Sequence, residues 1–119
     1  MNQTTVLICA KNAEFTIRNA LLSAVKTNNE QKILLVDDFS EDSTIAKAEE
    51  LSLKHLTVVQ PRVNIEEGIG NARQTALENL TTPYGIWLDA DDEFLPNRVE
   101  KMEEVLRTDD LDILFDSAV

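Results

Sequence analysis

Five aspartates in two short groups are the residues of this sequence best suited to chemistry. Asp37 and Asp38 form the first group; Asp89, Asp91 and Asp92 form the second. Carboxylates crowded together repel one another and raise each other's pKa. A divalent cation relieves that repulsion, and hard oxygen donors in an Asp-x-Asp pattern suit Mg²⁺ or Mn²⁺. With few protein ligands, such an ion keeps positions for water and for the phosphates of a ligand. The plainer role of an aspartate after a strand is to cap the next helix. That role also accounts for Asp37, Asp38 and Asp42. It suits Asp89-Ala90-Asp91-Asp92 less well, because three carboxylates exceed what one helix start uses.

Other residue types offer less. Gly68-Ile69-Gly70-Asn71-Ala72-Arg73 matches a dinucleotide fingerprint at two positions only, with Arg73 in place of the third glycine. Arg73 can neutralise a phosphate at a helix start, or lie on the surface of an amphipathic helix. His55, the sole histidine, is expected at or near the surface. Cys9 and Trp87 sit in apolar runs and are expected in the core, Cys9 as an inert thiol. No Ser/His/Asp set and no Cys/His zinc spacing is present.

The elements that must position these groups alternate in period. Short apolar runs suited to buried strands occupy Val6–Ala10, Ile33–Val36, Leu56–Val59, Gly85–Leu88 and Leu111–Phe115. Between them the apolar spacing becomes helical. The first helix is expected over Glu14–Val25. The second follows a cap at Ser40 or Asp42 and ends near Ser52. The third opens at Gly68 and Gly70 after a polar loop over Arg62–Glu67. The fourth starts at Pro96, a position that tolerates proline, and continues through Val99, Met102 and Leu106. The order βαβαβαβαβ predicts an α/β fold, an open, mostly parallel, doubly wound sheet with helices on both faces. Ligands of such sheets bind at the carboxyl ends of the strands, near the topological switch point. Both aspartate groups fall at strand ends on that edge.

The length, 119 residues, suits one domain over residues 1–119. Apolar residues make up 43% and charged residues 28%, as in globular chains. The net charge of −11 repels phosphate backbones, so nucleic-acid binding is not expected. No apolar run is long enough to span a bilayer, and no signal peptide is read at the N-terminus. The single cysteine fits a reducing compartment. The expected location is the cytoplasm, extending to the cytoplasmic face of a membrane.

Four segments, in this order and at this spacing, resemble the N-terminal half of a family 2 glycosyltransferase with the GT-A fold. They are Val6–Asn12, Ile33–Thr44, Gly70–Arg73 and Tyr84–Asp92. The resemblance implies a nucleoside-diphosphate-sugar donor bound at this sheet edge, with Mn²⁺ or Mg²⁺, and a saccharide or other hydroxyl acceptor. It implies that Asp38 contacts the nucleotide base, with Asp37 beside it. Asp91 and Asp92 resemble the metal and diphosphate acids, and Asp89 completes the Asp-x-Asp pattern. Arg73 matches an arginine facing the donor, and Ala10 to Asn12 match a segment lining the nucleotide pocket. The implied reaction is an inverting displacement in which a base deprotonates the acceptor. That base is expected beyond residue 119, where domains of this type continue past the fifth strand. A chain truncated there leaves a sheet edge uncovered, and self-association through it is expected. Two other readings compete: a receiver-type signalling domain, and a non-catalytic interaction domain retaining the fold. A receiver needs acids after strand 1, an acceptor Asp after strand 3 and a Lys after strand 5. Lys11-Asn12, Gln60-Pro61 and Asp116-Ser117 stand there instead.

Overall fold

The computed structural model describes residues 3–26, 28–61, 69–109 and 113–114. Its central strand β1 (Thr4–Ala10) is apolar on both faces, as a strand covered from two sides must be. The chain then runs through α1 (Ile17–Val25), β2 (Lys32–Asp37), α2 (Thr44–Glu50), β3 (Leu56–Val59) and α3 (Ile69–Glu78). It ends with β4 (Tyr84–Trp87), α4 (Arg98–Asp109) and β5 (Ile113–Leu114). The alternation predicted from periodicity is present from β1 to β5.

The strands pair in the order β3-β2-β1-β4-β5, and every pair is parallel. A receiver-type sheet has the order 2-1-3-4-5. The strand order therefore excludes the receiver reading. The chain steps outward from β1 to β3, then crosses back to lay β4 on the other side of β1. The switch point lies between β1 and β4. The acids that follow β4 leave the sheet next to the loop that follows β1.

Two apolar clusters hold the layers. On one face Val6, Ile8, Ile33, Leu35 and Ile86 pack against Ile17, Leu21, Ala48 and Val99 of α1, α2 and α4. On the other, Leu7, Leu34, Val36 and Trp87 pack against Ala72 and Ala76 of α3. The first three crossovers share one hand. The β4-α4-β5 crossover has the opposite hand, because it moves in the same direction as β3-α3-β4 but over the other face. Its cause is local: Phe94 and Val99 are buried in the α1-side cluster, and Phe94 N–H donates to Ser23 Oγ at 2.9 Å.

Some boundaries differ from expectation. Helix α1 starts at Ile17 rather than Glu14, because Thr16, at φ −121°, is not helical and residues 14–16 form a turn instead. Helix α2 ends before Ser52, whose φ of 49° is left-handed and cannot continue a helix. Pro96 does not open α4, which starts at Arg98 after Asn97 turns at φ 63°. The loop over 62–67 and Gly68 lie outside the described residues, as do the outer parts of the fifth strand.

Candidate functional site

The acid-bearing turn is built by the end of β4. Leu88 N–H donates to Leu7 O at 2.9 Å, so pairing with β1 continues one residue beyond the strand. The chain then turns, and Asp92 N–H donates to Asp89 O at 3.0 Å. This turn folds Asp89, Asp91 and Asp92 together, with one carboxylate oxygen from each lying within 4.8 Å of the others. Burial, together with the charges of Asp91 and Asp89 and a hydrogen bond with Asp89, pushes the Asp92 carboxyl above its ordinary value. That crowding is what a divalent ion relieves, and the donors are all oxygen. The three residues predicted as metal ligands fit an Mg²⁺- or Mn²⁺-type ion. None of them opens α4, whose first turn takes its backbone bonds from Leu95 and Asn97.

The first aspartate pair does a different job. Asp37 is fully buried at the end of β2. Its Oδ2 accepts Ser40 N–H at 3.0 Å and Gln60 Nε2–H at 3.3 Å, which fastens the loop after β2. Its Oδ1 is buried with no hydrogen-bond partner among the described residues. Asp38 is also buried, and its N–H donates to Ala10 O at 2.8 Å. Asp37 and Asp38 do not join the three-carboxylate set.

Loops after β1 and β2 are cross-linked. Asn12, at φ 52°, donates its N–H to Ser40 Oγ and accepts Glu41 N–H on Oδ1, both at 2.8 Å. Asp42 ties Thr44 and Glu14 together. Burial pushes its carboxyl up, but hydrogen bonds from Thr44 and Glu14 outweigh burial and hold it below the ordinary value. Asn12 therefore shapes the edge as much as it lines it.

A groove of about 540 Å³ opens between these loops, lined by Lys11, Asn12, Phe15, Asp89 and Asp91 among others. Phe15 is 86% exposed at its mouth. Nothing in the helical spacing singled Phe15 out; only its exposure beside the acids does. On the α3 side, Arg73 lies over Trp87, with 4.8 Å from the guanidinium carbon to the ring centroid. Trp87 is core, as expected, but it is also the surface on which Arg73 rests. Cys9 is only partly buried. Its thiol is pushed up to about 11, first by burial; Arg73 acts against this, and Asp38 and Asp89 add to it. The thiol lines the groove together with Asp89. His55 Nε2 lies 3.1 Å from Glu30 Oε1, away from this edge.

Fold and site together define a doubly wound α/β domain with a carboxylate-lined, arginine-flanked ligand edge at its switch point. The sequence model of glycosyl transferase family 2 matches residues 5–119, and the chain belongs to that family. The succinoglycan biosynthesis protein ExoU of Rhizobium meliloti is 32% identical over 114 residues, covering 94% of this chain and 32% of that protein. The S. aureus TarS 1–349 structure in complex with UDP-GlcNAc superposes with a TM-score of 0.79 at 26% identity. That match covers 91% of this chain and 32% of the TarS chain. The mannosyltransferase PcManGT from Pyrobaculum calidifontis, solved with GDP-Man and Mn²⁺, shares the fold at 21% identity and a TM-score of 0.69. This match covers 87% of the present chain and 32% of PcManGT. The chain spans about a third of the length of the curated relatives it matches. The fold is the GT-A arrangement anticipated from the four segments.

Proposed function

We propose that this chain forms the donor-binding part of a glycosyltransferase that moves a sugar from a nucleoside diphosphate to an acceptor hydroxyl. The observation that carries the reading is the close set of Asp89, Asp91 and Asp92 oxygens at the switch point, beside an open groove. TarS, with UDP-GlcNAc at its own site, supports a nucleotide sugar as the ligand class.

Asp89, Asp91 and Asp92 hold the metal in this reading. A divalent ion there supplies a Lewis acid for the charge that develops on the departing diphosphate. Arg73 supplies a second, permanent positive charge for the same oxygens. Asp38 faces the nucleotide side of the edge, with Asp37 and Asn12 holding the loops that frame it. Ala10, buried and bonded through its carbonyl to Asp38, forms the floor. Inversion and self-association belong to the same proposal. So does location in the cytoplasm or on the cytoplasmic face of a membrane, which the free Cys9 thiol supports.

Calorimetry with UDP, GDP and their sugars, with and without Mn²⁺, tests the reading. The expected result is binding that strengthens when Mn²⁺ is present. A folded sample that binds none of them would remove it. A non-catalytic domain retaining the fold predicts instead that the pair of changes Asp91→Asn and Asp92→Asn leaves the activity of the full gene product intact.

A further inference from the structure

We infer that Trp87 is a positioning residue whose indole face holds the Arg73 guanidinium ready for the diphosphate of the bound nucleotide. The inference rests on the nucleotide-sugar reading above and adds a residue to it.

Trp87 ends β4, opposite Leu7 in the parallel register, and points to the α3 face. It is only 7% exposed, so its ring is a fixed wall rather than a mobile surface. Arg73 reaches across from α3, anchored by its buried neighbour Ala72. The guanidinium rests 4.8 Å from the ring centroid. Among the described residues Arg73 has no ion pair and no hydrogen bond; the ring is its described contact. Carboxylates stand on the same sheet edge, Asp38 after β2 and Asp89 after β4. An arginine within reach of an aspartate tends to pair with it and be lost to a ligand. A flat aromatic face offers a competing attraction that leaves the N–H donors in the ring plane unspent. Two phosphate oxygens can then be met by a fork already oriented. The same geometry ties Arg73 to the acid turn, because Trp87 lies two residues before Asp89.

The contact has its own reporter, as Trp87 is the only tryptophan in the chain. The test uses the full chain, its tryptophan emission and its affinity for the tightest binder among UDP, GDP, dTDP, CDP and ADP, and for the matching nucleoside. Arg73→Gln is expected to change the emission before any ligand is added. Trp87→Leu is expected to weaken nucleoside-diphosphate binding ~tenfold and to leave nucleoside binding unchanged. Trp87→Phe, which keeps an aromatic face and a buried apolar side chain, is expected to retain most of the affinity. The double variant Trp87→Leu with Arg73→Gln is expected to bind no worse than Arg73→Gln alone.

Additive losses, equal losses for diphosphate and nucleoside, or an emission unmoved by Arg73→Gln would each overturn the role of Trp87. Should Trp87→Leu not fold, the emission of Arg73→Gln and the affinity of Trp87→Phe still decide. If no nucleoside diphosphate binds the unaltered chain, the nucleotide-sugar reading falls, and this role with it. If one binds but the losses are additive, the Trp87 role alone falls.

Discussion

Asn12 N–H donates to Ser40 Oγ across 28 residues of chain, at 2.8 Å. The bond joins the loops after β1 and β2 at the edge where the ligand is proposed to bind. Asn12 sustains a left-handed φ of 52° there, a conformation asparagine tolerates better than most residues. Its side chain completes the link by accepting Glu41 N–H. Asn12→Ala loses that hydrogen bond and adds backbone strain, for an expected loss of about 2 kcal/mol. Asn12→Gly loses the bond but not the backbone tolerance, for about 1 kcal/mol. Urea unfolding should rank them wild type, then Gly, then Ala. Equal stability of all three would mean that the cross-link contributes nothing.

The acid turn predicts opposite effects on stability and on binding. Asp92 is raised by burial and by Asp91 and Asp89. Asp92→Asn removes that repulsion, so the metal-free protein should melt at a higher temperature. The same change removes an oxygen charge from the metal set, so Mn²⁺ affinity should fall on the order of tenfold or more. Differential scanning fluorimetry and electron paramagnetic resonance of free Mn²⁺ measure the two. A variant that melts lower and binds Mn²⁺ unchanged would contradict both.

Proton competition follows from the same group. Its folded-state pKa lies above the ordinary carboxylate value, so Asp92 takes up a proton sooner than an isolated aspartate as pH falls. A protonated carboxyl does not ligate an ion. Mn²⁺ affinity should therefore decline on acidification, starting at a higher pH than an ordinary aspartate would impose. A Mn²⁺ affinity flat down to the ordinary aspartate pKa of about 3.9 would show that Asp92 is not a ligand.

Cys9 reports on the convergence of charges. With a pKa of about 11, its thiolate fraction at pH 8 is about a hundredfold below that of a thiol at the ordinary value of 9.0. Iodoacetamide should modify it correspondingly slowly, and faster as pH rises toward 11. Asp89→Asn removes a charge that raises the pKa and should accelerate alkylation. Arg73→Gln removes one that lowers it and should slow alkylation further. Rates followed by mass spectrometry that respond to neither change would place these side chains apart.

Gly85 predicts a steric limit beneath the site. A Cβ there would lie 2.8 Å from Leu7 Cδ1 and 3.4 Å from Leu80 Cδ2. Leu7 is fully buried, so its side chain has little room to retreat. Gly85→Ala should cost about 1–2 kcal/mol of stability by overpacking, and Gly85→Val more. Denaturant unfolding checks the order; an Ala variant as stable as wild type would show that Leu7 relaxes freely.

What the sequence determined alone is local. Apolar runs of strand length, helical spacing between them and aspartates after β2 and β4 all depend on near neighbours, and each was legible. The cap of α2 was not, since the helix is capped at Ser43 with no side-chain cap bond, and Asp42 instead closes a turn onto Thr44 N–H. Nor was the exact start of α1, because it turns on the backbone of Thr16, whose φ of −121° is not helical. Strand order was not legible either. Placing β4 beside β1, and so bringing Asp89 and Arg73 to the Cys9 thiol, depends on contacts between residues far apart in the chain. The face taken by α4 was not legible either; it is seen only in the burial of Phe94 and Val99 in the α1-side cluster. The seating of Arg73 on Trp87 arises only when α3 packs on β4. Local patterns set which groups reach the strand ends; packing at long range set which of them meet.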